Sequence, residues 1–133
     1  MERKILFRGK CVPESKYAGE WVEGGCVQCE NGETLIIYAQ SDHCTSTYHV
    51  IPDSVGQYTG MHDVHGKDIF EGDIVQSSRF IKHVIFYDEK LGSFVALCDG
   101  KLDLASRFDQ NWLDTYGKEI VGNVHDNPEL IIN

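Results

Sequence analysis

The residues most able to carry chemistry are thiols, imidazoles and carboxylates, and their spacing sets what they can do. Cys26 and Cys29 form a Cys-x-x-Cys pair. A structural zinc site would need that pair on a turn, with both sulfurs converging, and further ligands such as His43 and Cys44. A redox pair would instead open a helix, where the dipole lowers the thiol pKa. Neither context is predicted here. The pair falls in a segment that reads as a strand, where residues three apart point to opposite faces. Asn31-Gly32 follows at once and signals a hairpin rather than a helix. We therefore read both cysteines as strand residues, with Cys26, Cys29, His43 and Cys44 as the weak candidate metal set.

The six histidines match no ligand motif, although His62 and His65 flank a turn beside Asp63 and Asp68. Asp63, Asp68, Glu71, Asp73 and Asp88 supply carboxylates for paired acid–base work, but they sit among glycines, where Asp and Glu commonly accept from backbone N–H groups of turns. No Gly-x-Ser-x-Gly, Walker loop or His-Glu-x-x-His is present. The expectation is a protein without catalytic residues, cofactor or metal. A nucleic-acid reading would need Arg79, Lys82, Lys90 and Arg107 on one face, and binding that falls steeply with salt. The net charge of −9, from 21 acidic and 12 basic residues, works against a phosphate-binding footprint. Aromatics such as Tyr48, Tyr58 and Phe70 lack interleaved Arg and Lys, so they read as core rather than as a base-stacking platform.

The elements that position these residues are mostly short and extended. Lys4–Gly9 is a strand candidate. Residues 20–40 read as a hairpin turning near Asn31, and Gln40–Thr47 as a polar loop. The stretch Val50–Val75 is dense in turn residues, with Gly56, Gly60, Gly66 and Gly72 placed to hold backbone shapes that side chains disfavour. Three runs beginning at Asp73, Lys82 and Phe94, joined by short loops, suggest a meander. Asp103–Leu113 is the one predicted helix, capped by Asp103 with Leu104, Phe108 and Trp112 on one face. Glu119–His125 reads as a final strand, and Leu130 and its isoleucine neighbours as a tail that packs back or meets a neighbour.

The fold class expected is therefore mainly β (a β-rich α+β). It has a small SH3-like or meander β-barrel core, an N-terminal β-hairpin lobe before it, and one short helix near 103–113. Residues 1–133 read as a single domain with a soft sub-boundary near Thr45, dividing a lobe of 1–45 from a barrel of 46–133. The expected core comprises Trp21, Tyr58, Ile69, Phe70, Ile74 and Val75, together with Val55, Val84, Phe86, Val121 and Val124. Five cysteines cannot pair completely, no signal peptide is evident in Met1–Leu6, and no apolar run approaches the ~20 residues of a membrane span. These features point to a reducing cytoplasm and no membrane partner.

Several motifs together resemble the YopX family of phage and prophage proteins. They are Phe7-Arg8-Gly9-Lys10, Gly19-Glu20-Trp21-Val22-Glu23-Gly24, Val55-Gly56-Gln57-Tyr58-Thr59-Gly60 and Gly66-Lys67-Asp68-Ile69-Phe70-Glu71-Gly72-Asp73-Ile74-Val75. The closing run Glu119-Ile120-Val121-Gly122-Asn123-Val124-His125-Asp126-Asn127-Pro128-Glu129-Leu130 completes the order. The resemblance implies a mainly β fold that tends to assemble, in a bacterial host cell, and assigns no activity to any residue. The function it suggests is that of an accessory protein working through protein–protein contacts. Its partners would be further copies of itself, as a homo-oligomer, and a phage or host protein.

Overall fold

In the computed structural model, which describes residues 3–102 and 108–131, eleven strands and one short helix build two antiparallel sheets. The mainly β expectation holds. The chain divides into two compact units, residues 1–58 and 59–133. Thr45 lies inside a strand of the first unit.

The first unit orders its strands β4-β3-β2-β1: β1 is Phe7–Lys10, β2 Trp21–Gln28, β3 Thr34–Ser41 and β4 Cys44–Val50. The predicted β2–β3 hairpin turns at Asn31-Gly32. Asn31 Oδ1 accepts from the Glu33 N–H at 3.0 Å, and Gly32 takes a φ of 92° that a side chain disfavours. Gln40–Thr47, read as a loop, is instead a second hairpin in which Ser41 pairs with Cys44. Its Thr and Ser residues are polar, yet they suit an exposed edge strand. β1 also pairs with the start of β5 (Gly56–His62) through Arg8 opposite Gly56. Gly56 is thus a buried strand residue, not a turn as expected. Gly60, Gly66 and Gly72 do adopt positive φ.

Two close approaches hold this unit together. A Cβ on Gly9 would stand 2.9 Å from the Val50 side chain, and one on Gly24 would stand 2.2 Å from the Ile37 carbonyl oxygen. Val50 fills the space that Gly9 leaves, and Cys11 and Ile36 are buried as fully as Val50. Burial, and then the Glu20 charge, push the Cys11 thiol pKa up, which leaves it a small inert hydrophobe.

In the second unit, β6 (Asp68–Phe70) pairs with the end of β5, and a second sheet runs β10-β9-β8-β7-β11. These are β7 Asp73–Gln76, β8 Lys82–Asp88, β9 Ser93–Cys98, β10 Lys101–Leu102 and β11 Glu119–Asn123. The β7–β8–β9 meander is as expected, but there is no closed barrel. β11 pairs antiparallel with β7, and β10, two residues long, offers too short a ladder to close the sheet against it. The helix α1 spans Gln110–Thr115. Asp109 caps it, its Oδ1 accepting from the Trp112 N–H at 2.9 Å. Of the predicted helix over 103–113, the described residues are helical from Gln110 onward, and its proposed cap Asp103 and Leu104 lie outside the described residues.

Trp112 and Leu113 of α1 press on Ile69, Val75, Ile85 and Ala96 to form the core of this unit. β8 faces the opposite way from expectation. His83 and Ile85 are buried, Val84 is half-buried, and Phe86 is 46% exposed. A run of apolar residues from Val84 to Tyr87 leaves the inward parity open, and a one-residue difference in register exchanges the faces. Trp21, Val55, Val121 and Val124 are half-buried rather than central.

Gly24→Ala should lower stability by about 1–3 kcal/mol, because the carbonyl it meets belongs to backbone that cannot turn aside. A Cβ on Gly25 meets only the Ile37 oxygen at 3.9 Å, so Gly25→Ala should be nearly neutral. Urea unfolding of the two variants tests this; equal midpoints would contradict the packing described.

Candidate functional site

The site begins with a carboxylate. Asp63, buried in the β5–β6 turn, accepts from His65 N–H and Lys67 N–H with Oδ1, each at 2.9 Å, and from Ile120 N–H of β11 with Oδ2 at 3.1 Å. Burial pushes its pKa up. The three backbone donors, helped by the neighbouring His65, pull it down further, so it rests below the ordinary carboxylate value. The adjacent Val64 N–H donates to the Lys118 carbonyl, while the Lys118 N–H donates to Leu113 O. Lys118 is therefore fixed from both sides at the end of the α1–β11 connection, and its side chain enters the interior.

There its Nζ donates to the Ile81 carbonyl at 3.2 Å, meets His83 Nδ1 at 3.0 Å, and lies 4.8 Å from the Trp112 ring centroid. With Lys118 as an ammonium, which has donors only, Nδ1 accepts and the imidazole proton sits on Nε2. The His83 ring meets Trp112 edge-on at 4.9 Å. Lys118 is 2% exposed, and its residue and His83 both line a cavity of about 670 Å³. Arg79, Ser78 and Thr115 stand on the same cavity.

The loop between β7 and β8 forms one wall of this cavity. It is closed by Ser77 N–H to Ile81 O at 3.1 Å and Phe80 N–H to Ser77 O at 2.9 Å. Phe80 carries a φ of 64° and leaves its side chain 76% exposed. Phe80 and Ile81 also line a second depression, about 680 Å³, with Val84, Leu97, Leu130 and Ile131. Leu130 and Ile131 thus lie along the outward face of the meander, as one of the two expected placements of the tail. Lys82 and Asp99 stand on this groove too, and Asp99 has a φ of 54°. Non-glycine residues at positive φ are uncommon, more so for a bulky ring.

The candidate residues taken from the sequence are not gathered here. Cys29 follows β2 beside the Asn31 turn, whereas His43 and Cys44 lie at the far end of β3, eight residues long. Cys26 pairs with Ile36 and Cys44 with Ser41, so at ~3.4 Å per residue even Cys26 stands about 17 Å along the strand from Cys44. Among the described residues no group of three His, Cys, Asp or Glu is placed to hold a metal ion. Burial raises the Cys26 pKa. Of the basic residues, Arg79 lies in the β7–β8 loop and Lys82 starts β8, while Lys90 lies beyond the other end of that strand, about 20 Å from Lys82, so these do not form one patch; Arg107 lies outside the described residues. The carboxylates serve as turn acceptors: Asp73 takes Phe70 N–H at 2.8 Å, and Asp88 takes Lys90 and Leu91 N–H at 2.9 and 3.0 Å. Asp68 instead pairs with His62 at 3.1 Å. Lys118 carries no signal in the sequence, because a lysine before a strand belongs to no motif; His83 stands beside Arg79 and Lys82 as part of a possible basic patch, but no spacing links it to Lys118.

The family model described as YopX protein matches residues 7–132. Among solved structures, the crystal structure of protein EF1440 from Enterococcus faecalis is similar, with 25% identity and a TM-score of 0.62, over 97% of this chain and 99% of that one. No curated protein matches. The chain belongs to the YopX family.

Asp63 gives this site a pH signature. Its folded-state pKa lies below the unfolded value of ~3.9, so its contribution is complete above that value and is lost as pH falls through the folded pKa. Asp63→Asn should cost about 1–3 kcal/mol at neutral pH, and the difference from wild type should shrink below about pH 4. Chemical denaturation across that range checks it. A difference that stays constant into acid would assign the cost to something other than the carboxylate charge.

Proposed function

We propose that this YopX-family chain is a non-catalytic accessory protein of phage or prophage origin that acts in the bacterial cytoplasm through protein–protein contacts, first of all with copies of itself. The observation that carries this reading is the apolar groove at the start of β8, with Phe80 held outward at its mouth. A phenylalanine in a left-handed backbone costs on the order of 1 kcal/mol or more, and exposing the ring forgoes further burial. Strain combined with exposure at one residue marks a contact residue better than either alone.

A second copy fits this groove for two reasons. Its lining is apolar, which suits an interface core. Its rim carries both signs, Lys82 and Asp99, and an isologous contact places one opposite the other about a two-fold axis. The net charge of −9 opposes such pairing at low ionic strength, and salt screens that repulsion. Self-association driven by the groove therefore strengthens with salt, the reverse of the dependence a nucleic-acid complex shows.

Light scattering coupled to size exclusion tests the reading. Wild type should associate as concentration rises and more readily at higher salt. Phe80→Asn removes the ring, while asparagine tolerates the left-handed backbone, so this variant should keep or raise its melting temperature and associate at least ~10-fold more weakly. A wild-type protein that stays monomeric at every concentration and salt would overturn the self-association reading, as would Phe80→Asn associating as tightly as wild type.

A further inference from the structure

We infer that the cavity beside Lys118 is a binding site for a small organic or inorganic anion, bearing phosphate or carboxylate. The inference does not depend on self-association. The first observation is electrostatic. In a chain of net charge −9, this cavity gathers Arg79 and Lys118 against one carboxylate, Asp114. The Oδ1 of Asp114 already accepts from Gln110 Nε2 at 3.0 Å. Local charge is thus the reverse of the average, and a concave low-dielectric wall strengthens its field.

The second observation is the preparation of Lys118. Its backbone is held by Val64 and Leu113. Its Nζ is placed by the Ile81 carbonyl, the His83 ring and the Trp112 face, so little conformational freedom remains to be lost on binding. Most lysines on a protein surface are mobile and hydrated. The third observation is the character of the remaining wall: Ser78 and Thr115 hydroxyls can donate to anionic oxygens, and Arg79 offers the planar fork that matches phosphate and carboxylate alike. A volume near 670 Å³ lies within the range of small-ligand sites.

The test is a titration of isotopically labelled full-length protein, followed by amide and indole NMR, with inorganic phosphate in one arm and succinate in the other. The expected result is a saturable shift concentrated on Ser78, Arg79, Thr115, Gly117 and the Trp112 indole in at least one arm, and the responding arm names the anion class. Arg79→Gln, at an exposed position, should weaken binding about tenfold, whereas Lys90→Gln, beyond the far end of β8, should leave it unchanged. Lys118→Met probes the buried cation directly; if it fails to fold, the Arg79 and Lys90 pair still decides. Absence of saturable shifts in both arms overturns the site, as does equal binding by wild type and Arg79→Gln.

Discussion

Asp63 ties together two pieces of chain that are far apart in sequence. One of its oxygens closes the turn between β5 and β6, and the other takes the Ile120 N–H at the start of β11, 57 residues later. Pairing of β11 with β7 then completes the second sheet, and Lys118 is carried to its place by the same contact. Three hydrogen bonds to one charged group, each stronger than a neutral pair, hold a junction that apolar burial alone leaves unspecified. Burial opposes the charge and the donors outweigh it, which is why the turn needs aspartate rather than a neutral acceptor.

Much of the fold was legible because it rests on local rules. Asn31-Gly32 marks its hairpin by tolerance of positive φ, and the short loops from Asp73 to Leu97 force antiparallel neighbours. What was not legible depends on contacts distant in sequence. β8 has apolar residues at both parities, and the helix that selects Ile85 as inward lies some 25 residues further on. The helix α1 starts at Gln110 because Asp109 caps it. A barrel is what strands joined by short loops suggest, but closure depends on whether terminal strands meet, and β11 joins β7 instead. Gly56 was read as a turn although it pairs with Arg8 inside a sheet, because glycine marks close backbone approach as often as a turn.

The candidate site shows the same division. The carboxylates near glycine were read as acceptors for turn donors, and Asp63, Asp73 and Asp88 do that work. Lys118, His83 and Trp112 come from three elements and share no spacing, so only tertiary structure brings them together. Phe80 has no neighbour in the sequence that sets it apart from the other aromatics, and only its backbone and exposure mark it as a surface residue.

Ile81 lines both of the cavities described above. Its side chain lines the apolar groove, and its carbonyl accepts from Ser77 N–H and from Lys118 Nζ. A single peptide therefore forms part of two walls. Any occupant that displaces it on one side alters the donor geometry on the other. Linkage makes such an effect mutual: a factor gained by anion binding from groove occupancy is the same factor gained by groove occupancy from the anion. The short loop from Ser77 to Ile81 thus acts as a partition whose two faces share one free energy.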